Sequence, residues 1–212
     1  MLNKVLTAKQ IMVRAFVLYC LEDEQRASEA QRHMLHSIHV GRHVSGMMPF
    51  IVEKYTELMT PDYQRGLEDG AVLHDIGKSL IIGNDASILA DKVDLTTRER
   101  FIIENHTELG TDVLLASLKD IIPYSKVTYR VVKDIIRFHH AKYDAECGCP
   151  RGVSGENIPL LARIVAVPDY YDAMADRTKL MTKEQVLKDI PLKSGTWFDP
   201  SVVDIFLKYI IS

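Results

Sequence analysis

Apolar residues recur at helical spacing along nearly the whole chain, and this pattern restricts the fold more than any other feature of the sequence. Residues 3–22 carry such a pattern, and in the segment KVTYRVVKDIIRFHH the residues Val131, Val132, Ile135 and Ile136 share one face. Convincing strands, with alternating polar and apolar residues, do not occur. The sequence therefore predicts an all-α fold, a helical bundle.

Prolines and capping residues mark the predicted ends of the helices. We expect one helix from about Glu24 to Met48, which Pro49 kinks or ends. Another is predicted to begin at Pro61 and to end near Gly77.

Later helices carry similar signals. Thr96 or Thr97 is predicted to start a helix through RERFIIENH, and LGTDVLLASLK to form the next one. Pro168 is expected to kink the helix in IPLLARIVAVPDYYDAMAD. Caps are predicted at Thr182, in a capping box with Gln185, and at Asp199 followed by Pro200; residues 141–158, rich in Gly and Pro, are predicted to form a long loop.

Composition excludes several classes of protein. The 212 residues are 47% hydrophobic and 26% charged, a mixture that can bury a core. A net charge of −3 gives no indication of non-specific binding to nucleic acid or to a membrane, so an anionic ligand would need a local positive site. No signal peptide or membrane span is recognised, and three cysteines argue against a disulfide framework. We expect a cytoplasmic protein.

The histidines and acidic residues suggest a metal site. Four of the eight histidines, His33, His36, His39 and His43, share one helical face, and we expect one or two of them to bind metal. The other histidines fall in separate predicted helices or at their ends: His74, which precedes Asp75, His106, and the pair His139–His140. Imidazole and carboxylate ligands without thiolates suit Fe, Mn or Zn.

Asp169 and Asp172 are three residues apart on one helical face, and two interpretations of this pair stay open. It either contributes to the metal site or forms a solvated helix face. Two neighbouring ions would be able to activate water and to stabilise a phosphoryl transition state.

Taken in order, these motifs resemble the HD-GYP branch of the HD phosphohydrolase superfamily. The resemblance rests on H36-S, H74-D75-I-G-K78, H106-x-x-x-G110, H139-H140 and A162-R-I-x-A-V-x-D169-x-Y-D172-A, with SILADKVDLTTRE, GENIPLLARI and GTWFDPSVVDIF as further landmarks. It covers about residues 30–210. It implies an α-helical HD-type domain over residues 31–212, with a long loop near the metal site and an N-terminal helical extension over residues 1–30.

The resemblance also implies the chemistry. Two divalent ions, Fe or Mn with Zn or Ni as alternatives, would be held by His36, His74, Asp75, His106, His139, His140 and Asp169. Asp75 would bridge the two ions, and Lys78 would contact the scissile phosphate, so Asp75 and Lys78 are the predicted catalytic residues. An activated hydroxide would be the nucleophile. Lys78, Arg177 and Lys179 are the predicted substrate-binding residues.

Some positions depart from the pattern of that family. Arg32 stands where some members have a glutamate for a third ion, which favours two ions here. The signature HHExxDGxGYP is replaced by HHAKYDAECGCP, so Ala141 takes the place of the glutamate and Cys149 that of the tyrosine. The later Arg-Pro-Tyr-Lys/Arg motif is here R177-T-K-L. The metal-binding half of the pattern is intact, and the nucleotide-recognition half is altered.

These observations predict a metal-dependent phosphodiesterase that hydrolyses a cyclic dinucleotide, cyclic di-GMP or a related one. Two alternatives remain. The chain would be a non-catalytic signalling module that binds a nucleotide or a partner protein, or an HD phosphohydrolase acting on another small phosphate ester. We expect a small anionic nucleotide as ligand, no nucleic acid and no membrane, and either a homodimer or a signalling partner protein.

Overall fold

The structure is a computed structural model, and the parts that it describes are mainly helices joined by turns and short irregular segments. It describes residues 7–20, 24–81, 96–118, 122–144, 150, 152–177 and 180–212. Within these ranges the only β pairing is an isolated bridge between Ser194 and Phe198. The prediction of an all-α fold is confirmed. No helix in the described ranges is long and apolar enough to cross a membrane.

The described residues form ten α-helices, with short 3₁₀ and π-helical segments between some of them. The α-helices are α1 (Ala8–Cys20), α2 (Glu24–Lys54), α3 (Pro61–Leu73), α4 (Thr97–Glu104), α5 (His106–Leu109), α6 (Leu115–Leu118), α7 (Lys126–Phe138), α8 (Leu160–Asp172), α9 (Lys183–Leu192) and α10 (Pro200–Ile211). The 3₁₀ segments are Ile76–Leu80 and Gly155–Asn157, and the π-helical segments are Gly110–Leu114 and Ala173–Arg177.

The predicted caps are present. Thr96 and Thr182 each form a reciprocal capping box, with Glu99 and Gln185 respectively. The Asp199 carboxylate accepts a hydrogen bond from the Ser201 backbone N–H at the start of α10.

Three predicted boundaries differ from the structure. Pro49 does not end α2, which continues to Lys54 because buried Met47 and Ile51 lie on either side of the proline in the core. Helix α3 ends at Leu73, four residues before Gly77, and a turn and the 3₁₀ segment follow. The segment LGTDVLLASLK is not one regular helix, because Gly110–Leu114 is π-helical.

The bundle has two main cores on either side of α3. The first joins α2, α8 and α10 through side chains such as Val44, Ile164 and Phe206. The second joins α1, α3 and α7 through side chains such as Met12 and Val132. All four apolar residues predicted to face inward on α7, Val131, Val132, Ile135 and Ile136, are buried.

Helices α3 and α7 approach each other closely because α3 has glycines at the contact. A Cβ added to Gly66 would lie 2.6 Å from a Val131 methyl group, and one added to Gly70 would lie 2.5 Å from an Ile135 methyl group. This close packing brings the C-terminal ends of α3 and α7, which carry His74 and His139, to the same region.

Candidate metal centre

Seven side chains from five parts of the chain converge between the helices. Their ligand atoms form two groups, and within each group all the atoms lie within 4.8 Å of one another. The first group is Asp75, His106, His139 and His140, and the second is His36, His74 and Asp169. The structure therefore brings together all seven residues that the sequence singled out as candidate metal ligands. Six are buried, and His140 is partly exposed.

Asp75 lies between the two groups. Its Oδ1 atom is 3.1 Å from His106 Nε2 and 3.7 Å from His139 Nε2. Its Oδ2 atom is 3.6 Å from His74 Nε2 and 3.9 Å from His36 Nε2. Each carboxylate oxygen thus faces a different group, which is the arrangement that a bridging carboxylate between two ions requires.

Backbone carbonyls orient three of the imidazoles. His74, His106 and His139 each donate a hydrogen bond from Nδ1 to the carbonyl three residues earlier, at 2.8 Å for His74 and 3.0 Å for His139. Because a carbonyl only accepts, a proton lies on Nδ1, and in the neutral ring the lone pair therefore lies on Nε2. The Nε2 atoms of these three side chains have no hydrogen-bond partner among the described residues.

Buried nitrogen lone pairs without a partner carry a desolvation penalty, and a divalent cation would remove it. Five imidazoles and two carboxylates, with no thiolate, suit Fe, Mn, Zn or Ni. The residues therefore fit the binding of divalent metal ions.

The sequence left the role of Asp172 open, and the structure gives it one. The Asp172 carboxylate lies 2.6 Å from His36 Nδ1 and 3.1 Å from His39 Nδ1. It is 1% exposed, so Asp169 and Asp172 do not form a solvated face. A carboxylate behind a metal-binding imidazole fixes the ring and raises its basicity. The helical spacing from Asp169 was the available signal, but the partner on α2 was not visible from the sequence.

The remaining histidines of α2 point to other neighbours. His43 Nδ1 lies 3.1 Å from the Tyr209 hydroxyl on α10, and His33 is buried outside the two groups. Among the four histidines of this face, His36 alone joins the described ligand groups.

Electrostatics keep the two carboxylates of the centre ionised. Burial would raise the pKa of Asp75, but Lys78 and His74 outweigh it and hold this pKa well below its usual value. Burial opposes ionisation of Asp169 as well, but the His36 and His74 rings, whose Nε2 atoms lie 3.0 Å and 3.5 Å from Asp169 Oδ1, hold its pKa well below the usual value. Both groups are therefore in the anionic form that binds a cation.

Burial also affects the imidazoles. It lowers the pKa of His106, against the opposing effect of Asp75, and so favours the neutral ring that binds metal. At His74 the effect of burial is outweighed by the Asp75 and Asp169 carboxylates, which raise the pKa of that ring.

Gly77 allows the segment after Asp75 to lie against His106. A Cβ added to Gly77 would fall 1.8 Å from the His106 carbonyl oxygen and 2.7 Å from the Gly110 backbone nitrogen. Any side chain here would push the 3₁₀ segment away from α5, and with it Asp75 away from the His106 ring.

Lys78 lies beside the centre and lines a cavity next to it. Its ammonium is 2.5 Å from Asp75 Oδ2, and the side chain is buried. The cavity, of about 190 Å³, is also lined by His139, His140 and Asp169. Lys78 therefore places a positive charge where an anionic group would enter.

The other predicted substrate-binding residues, Arg177 and Lys179, follow α8 in the chain. Arg177 is the last residue of the π-helical segment Ala173–Arg177, whose first residue lines the same cavity. The Arg177 side chain and the whole of Lys179 lie outside what the structure describes, as do Cys147 and Cys149. Of the predicted long loop over residues 141–158, the structure describes residues 141–144, 150 and 152–158, and Ala141 and Lys142 line the cavity.

Comparison with known proteins shows the family of the chain. The HD domain family matches residues 21–202 of the chain. A probable cyclic di-GMP phosphodiesterase of Vibrio cholerae is 32% identical over 187 residues, which cover 87% of this chain and 41% of that protein. The 3'3'-cGAMP-specific phosphodiesterase 2 of the same species is 30% identical over 146 residues, which cover 68% of this chain and 26% of that protein.

A solved structure shares the fold. The crystal structure of a cyclic GMP-AMP specific phosphodiesterase of V. cholerae has a TM-score of 0.54 to this chain and is 16% identical to it, covering 97% of this chain and 49% of the other. The chain spans about two fifths of the length of curated relatives such as the two cyclic di-GMP phosphodiesterases of V. cholerae.

The buried histidines and aspartates on an all-α scaffold define a protein of the HD class, and the chain belongs to the HD domain family. Its relatives among the cyclic di-GMP phosphodiesterases support the HD-GYP branch, as the motifs predicted. The division into an extension over residues 1–30 and a domain over residues 31–212 stays a prediction.

Proposed function

We propose that this chain is a metal-dependent phosphodiesterase that hydrolyses a cyclic dinucleotide, cyclic di-GMP or a related one. The observation that carries the proposal is the position of Asp75, whose two oxygens face the two groups of candidate ligands. The names of the relatives support the substrate class, since they are described as acting on cyclic di-GMP or on 3'3'-cGAMP.

The proposed ligands are His106, His139 and His140 for one ion, His36, His74 and Asp169 for the other, with Asp75 shared between them. The bound ions, Fe or Mn in this proposal with Zn or Ni as alternatives, would supply an activated water and neutralise charge on the phosphate. The backbone carbonyls that hold Nδ1 of His74, His106 and His139 keep the Nε2 lone pairs directed at this place.

Lys78 is the proposed residue for the phosphate that is cleaved. Its ammonium lies at the cavity and beside Asp75, so it would donate hydrogen bonds to a phosphate oxygen while the carboxylate is shared by the ions. The interaction strengthens as negative charge develops on the phosphate oxygens. Arg177 and Lys179 are proposed to bind other parts of the nucleotide. We also propose that the chain forms a homodimer or binds a signalling partner protein.

A product assay tests the proposal. The protein is loaded anaerobically with Fe(II) and separately with Mn(II), and is incubated with cyclic di-GMP, with 3'3'-cGAMP and with bis(p-nitrophenyl) phosphate. Chromatography should show a linear dinucleotide or mononucleotide from one of the cyclic dinucleotides, and none with Asp75→Ala. Cleavage of the simple diester alone would favour an HD phosphohydrolase for another phosphate ester. Binding of a cyclic dinucleotide without cleavage in either metal form would favour a non-catalytic module.

A further inference from the structure

Two residues that have no part in the proposed metal centre, Lys142 and Trp197, line the same cavity as Lys78 and Asp169. The Lys142 ammonium lies 3.8 Å from the centroid of the Trp197 ring. At this distance the negative face of the indole attracts a cation, and tryptophan is the strongest of the aromatic side chains in this respect. The Lys142 charge is therefore held at the wall of the cavity.

The backbone fixes these two residues relative to each other. The N–H of Tyr143, next to Lys142, donates to the Trp197 carbonyl at 3.3 Å, and the N–H of Asp144 donates to the Thr196 carbonyl at 2.8 Å. The Trp197 N–H itself donates to the Lys193 carbonyl at 2.9 Å, which closes a turn. The segment after His140 is thus bonded to the segment before α10. A cation fixed in this way loses little conformational freedom when it binds an anion.

Two lysine side chains therefore line the cavity at different places. Lys78 is beside Asp75 in the metal centre, and Lys142 is on Trp197. Ala141, which lies between His140 and Lys142 in the chain, is buried and brings no charge to the wall.

A cyclic dinucleotide has two phosphodiester groups, each with one negative charge. If one phosphate lies at the metal centre with Lys78, the second needs another cation within the ligand's reach. We infer that Lys142, positioned by Trp197, binds the phosphate of the cyclic dinucleotide that is not cleaved. This inference rests on the proposed function and adds a residue that selects ligands with two phosphates over simple diesters.

The size of the cavity agrees with binding of the second phosphate by Lys142 at the rim. A volume of about 190 Å³ is below the range of roughly 300–1,000 Å³ for pockets that enclose a drug-sized ligand. The cavity would hold the phosphate under attack and the adjoining sugar, and the rest of the ligand would extend past its rim. Lys142 is only partly buried, as a residue at the rim would be.

Lys193 provides a matched control. Its ammonium lies 4.6 Å from the centroid of the same Trp197 ring and pairs with the Asp189 carboxylate at 3.2 Å. Lys193 is not among the described residues that line the cavity. Replacing it removes a cation from the same ring without removing one from the proposed binding site.

The experiment compares Lys142→Met, Lys142→Arg and Lys193→Met with the unaltered protein in the metal-loaded form. KM and kcat are measured on whichever cyclic dinucleotide the unaltered protein cleaves best and on bis(p-nitrophenyl) phosphate, which has one phosphate. We expect Lys142→Met to raise KM for the cyclic dinucleotide by about tenfold more than for the simple diester, because a charge-assisted hydrogen bond is lost. Lys142→Arg should keep the KM for the cyclic dinucleotide close to that of the unaltered protein. Lys193→Met should leave KM and kcat unchanged for both substrates.

Each other outcome has a definite meaning. If Lys142→Met behaves like the unaltered protein on the cyclic dinucleotide, the inference is wrong and the proposed function stands. If it lowers activity on both substrates equally, Lys142 does not bind a second phosphate and the inference is again wrong. If the unaltered protein cleaves only the simple diester and binds no cyclic dinucleotide, the proposed function and the inference both fail.

Discussion

Gly77 packs against the backbone of His106 so closely that a Cβ at residue 77 would lie 1.8 Å from the His106 carbonyl oxygen. This contact joins the turn that carries His74 and Asp75 to the helix that carries His106. These two parts of the chain are about thirty residues apart in sequence, and the contact brings their ligand atoms together. The distance between Asp75 Oδ1 and His106 Nε2 is 3.1 Å.

We expect Gly77→Ala to separate these two segments. Because the clash is with backbone atoms, it cannot be relieved by a rotamer change, and the loss of stability should be about 2–4 kcal/mol. Metal content, measured by elemental analysis of the purified protein, should fall below that of the unaltered chain. Urea unfolding of the metal-free protein measures the stability.

Gly66→Ala is the control for this substitution. The added methyl would meet Val131 side-chain atoms on α7, at 2.6 Å, about two helical turns before the end of α3. It should destabilise the fold by about 1–3 kcal/mol and leave the number of bound ions unchanged. Equal metal content in Gly77→Ala and Gly66→Ala would show that the Gly77 contact does not position the centre.

Replacement of the shared carboxylate should remove metal. In Asp75→Asn the side chain keeps its size but loses the charge and one of the two anionic oxygens between the ligand groups. At least one ion should be lost per chain and turnover should disappear, as seen by elemental analysis and product chromatography. Asp204→Asn, on the exposed side of α10, should change neither quantity. Full metal content in Asp75→Asn would contradict the bridging role.

Asp172 should act on metal affinity through His36. Its carboxylate is 2.6 Å from His36 Nδ1, so Asp172→Ala removes the group that orients the ring. Loss of such a partner lowers metal affinity by about 10–100-fold. Competition with a chromophoric chelator measures this affinity. Asp172→Asn retains an oxygen that can accept from Nδ1 and should give an intermediate value. Identical affinities in all three proteins would mean that Asp172 has only a packing role.

Lys78→Met should separate catalysis from metal binding. The ammonium pairs with Asp75 Oδ2 and reaches the cavity, but it is not a ligand. We expect kcat to fall by about 10²–10³-fold, because a donor to the developing charge is lost, while the ions stay bound. Steady-state kinetics and elemental analysis on the same preparation check both parts. An unchanged kcat would exclude Lys78 from the reaction.

Much of the helical architecture could be read from local sequence. The apolar face of α7 and the caps at Thr96, Thr182 and Asp199 were predicted correctly, because they depend on residues within one turn of each other. Pro49 was harder to judge, since its effect depends on how strongly the flanking residues are held in the core.

The residue types and their order along the chain also pointed to the candidate centre. The seven side chains now found in two groups were all singled out, since histidine and aspartate in this order resemble the HD-GYP pattern. The sequence did not show that Asp172 would meet His36, or that Lys142 would rest on Trp197.

By itself, then, the sequence determined where helices form and which side chains have the chemistry to bind metal, because both depend on residue type and on spacing within a few positions. Only the tertiary structure decided which oxygen of Asp75 faces which group, how closely Gly77 approaches His106 and which lysines line the cavity. These relationships join residues that are distant in the chain, and they follow from how the buried faces of the helices pack together.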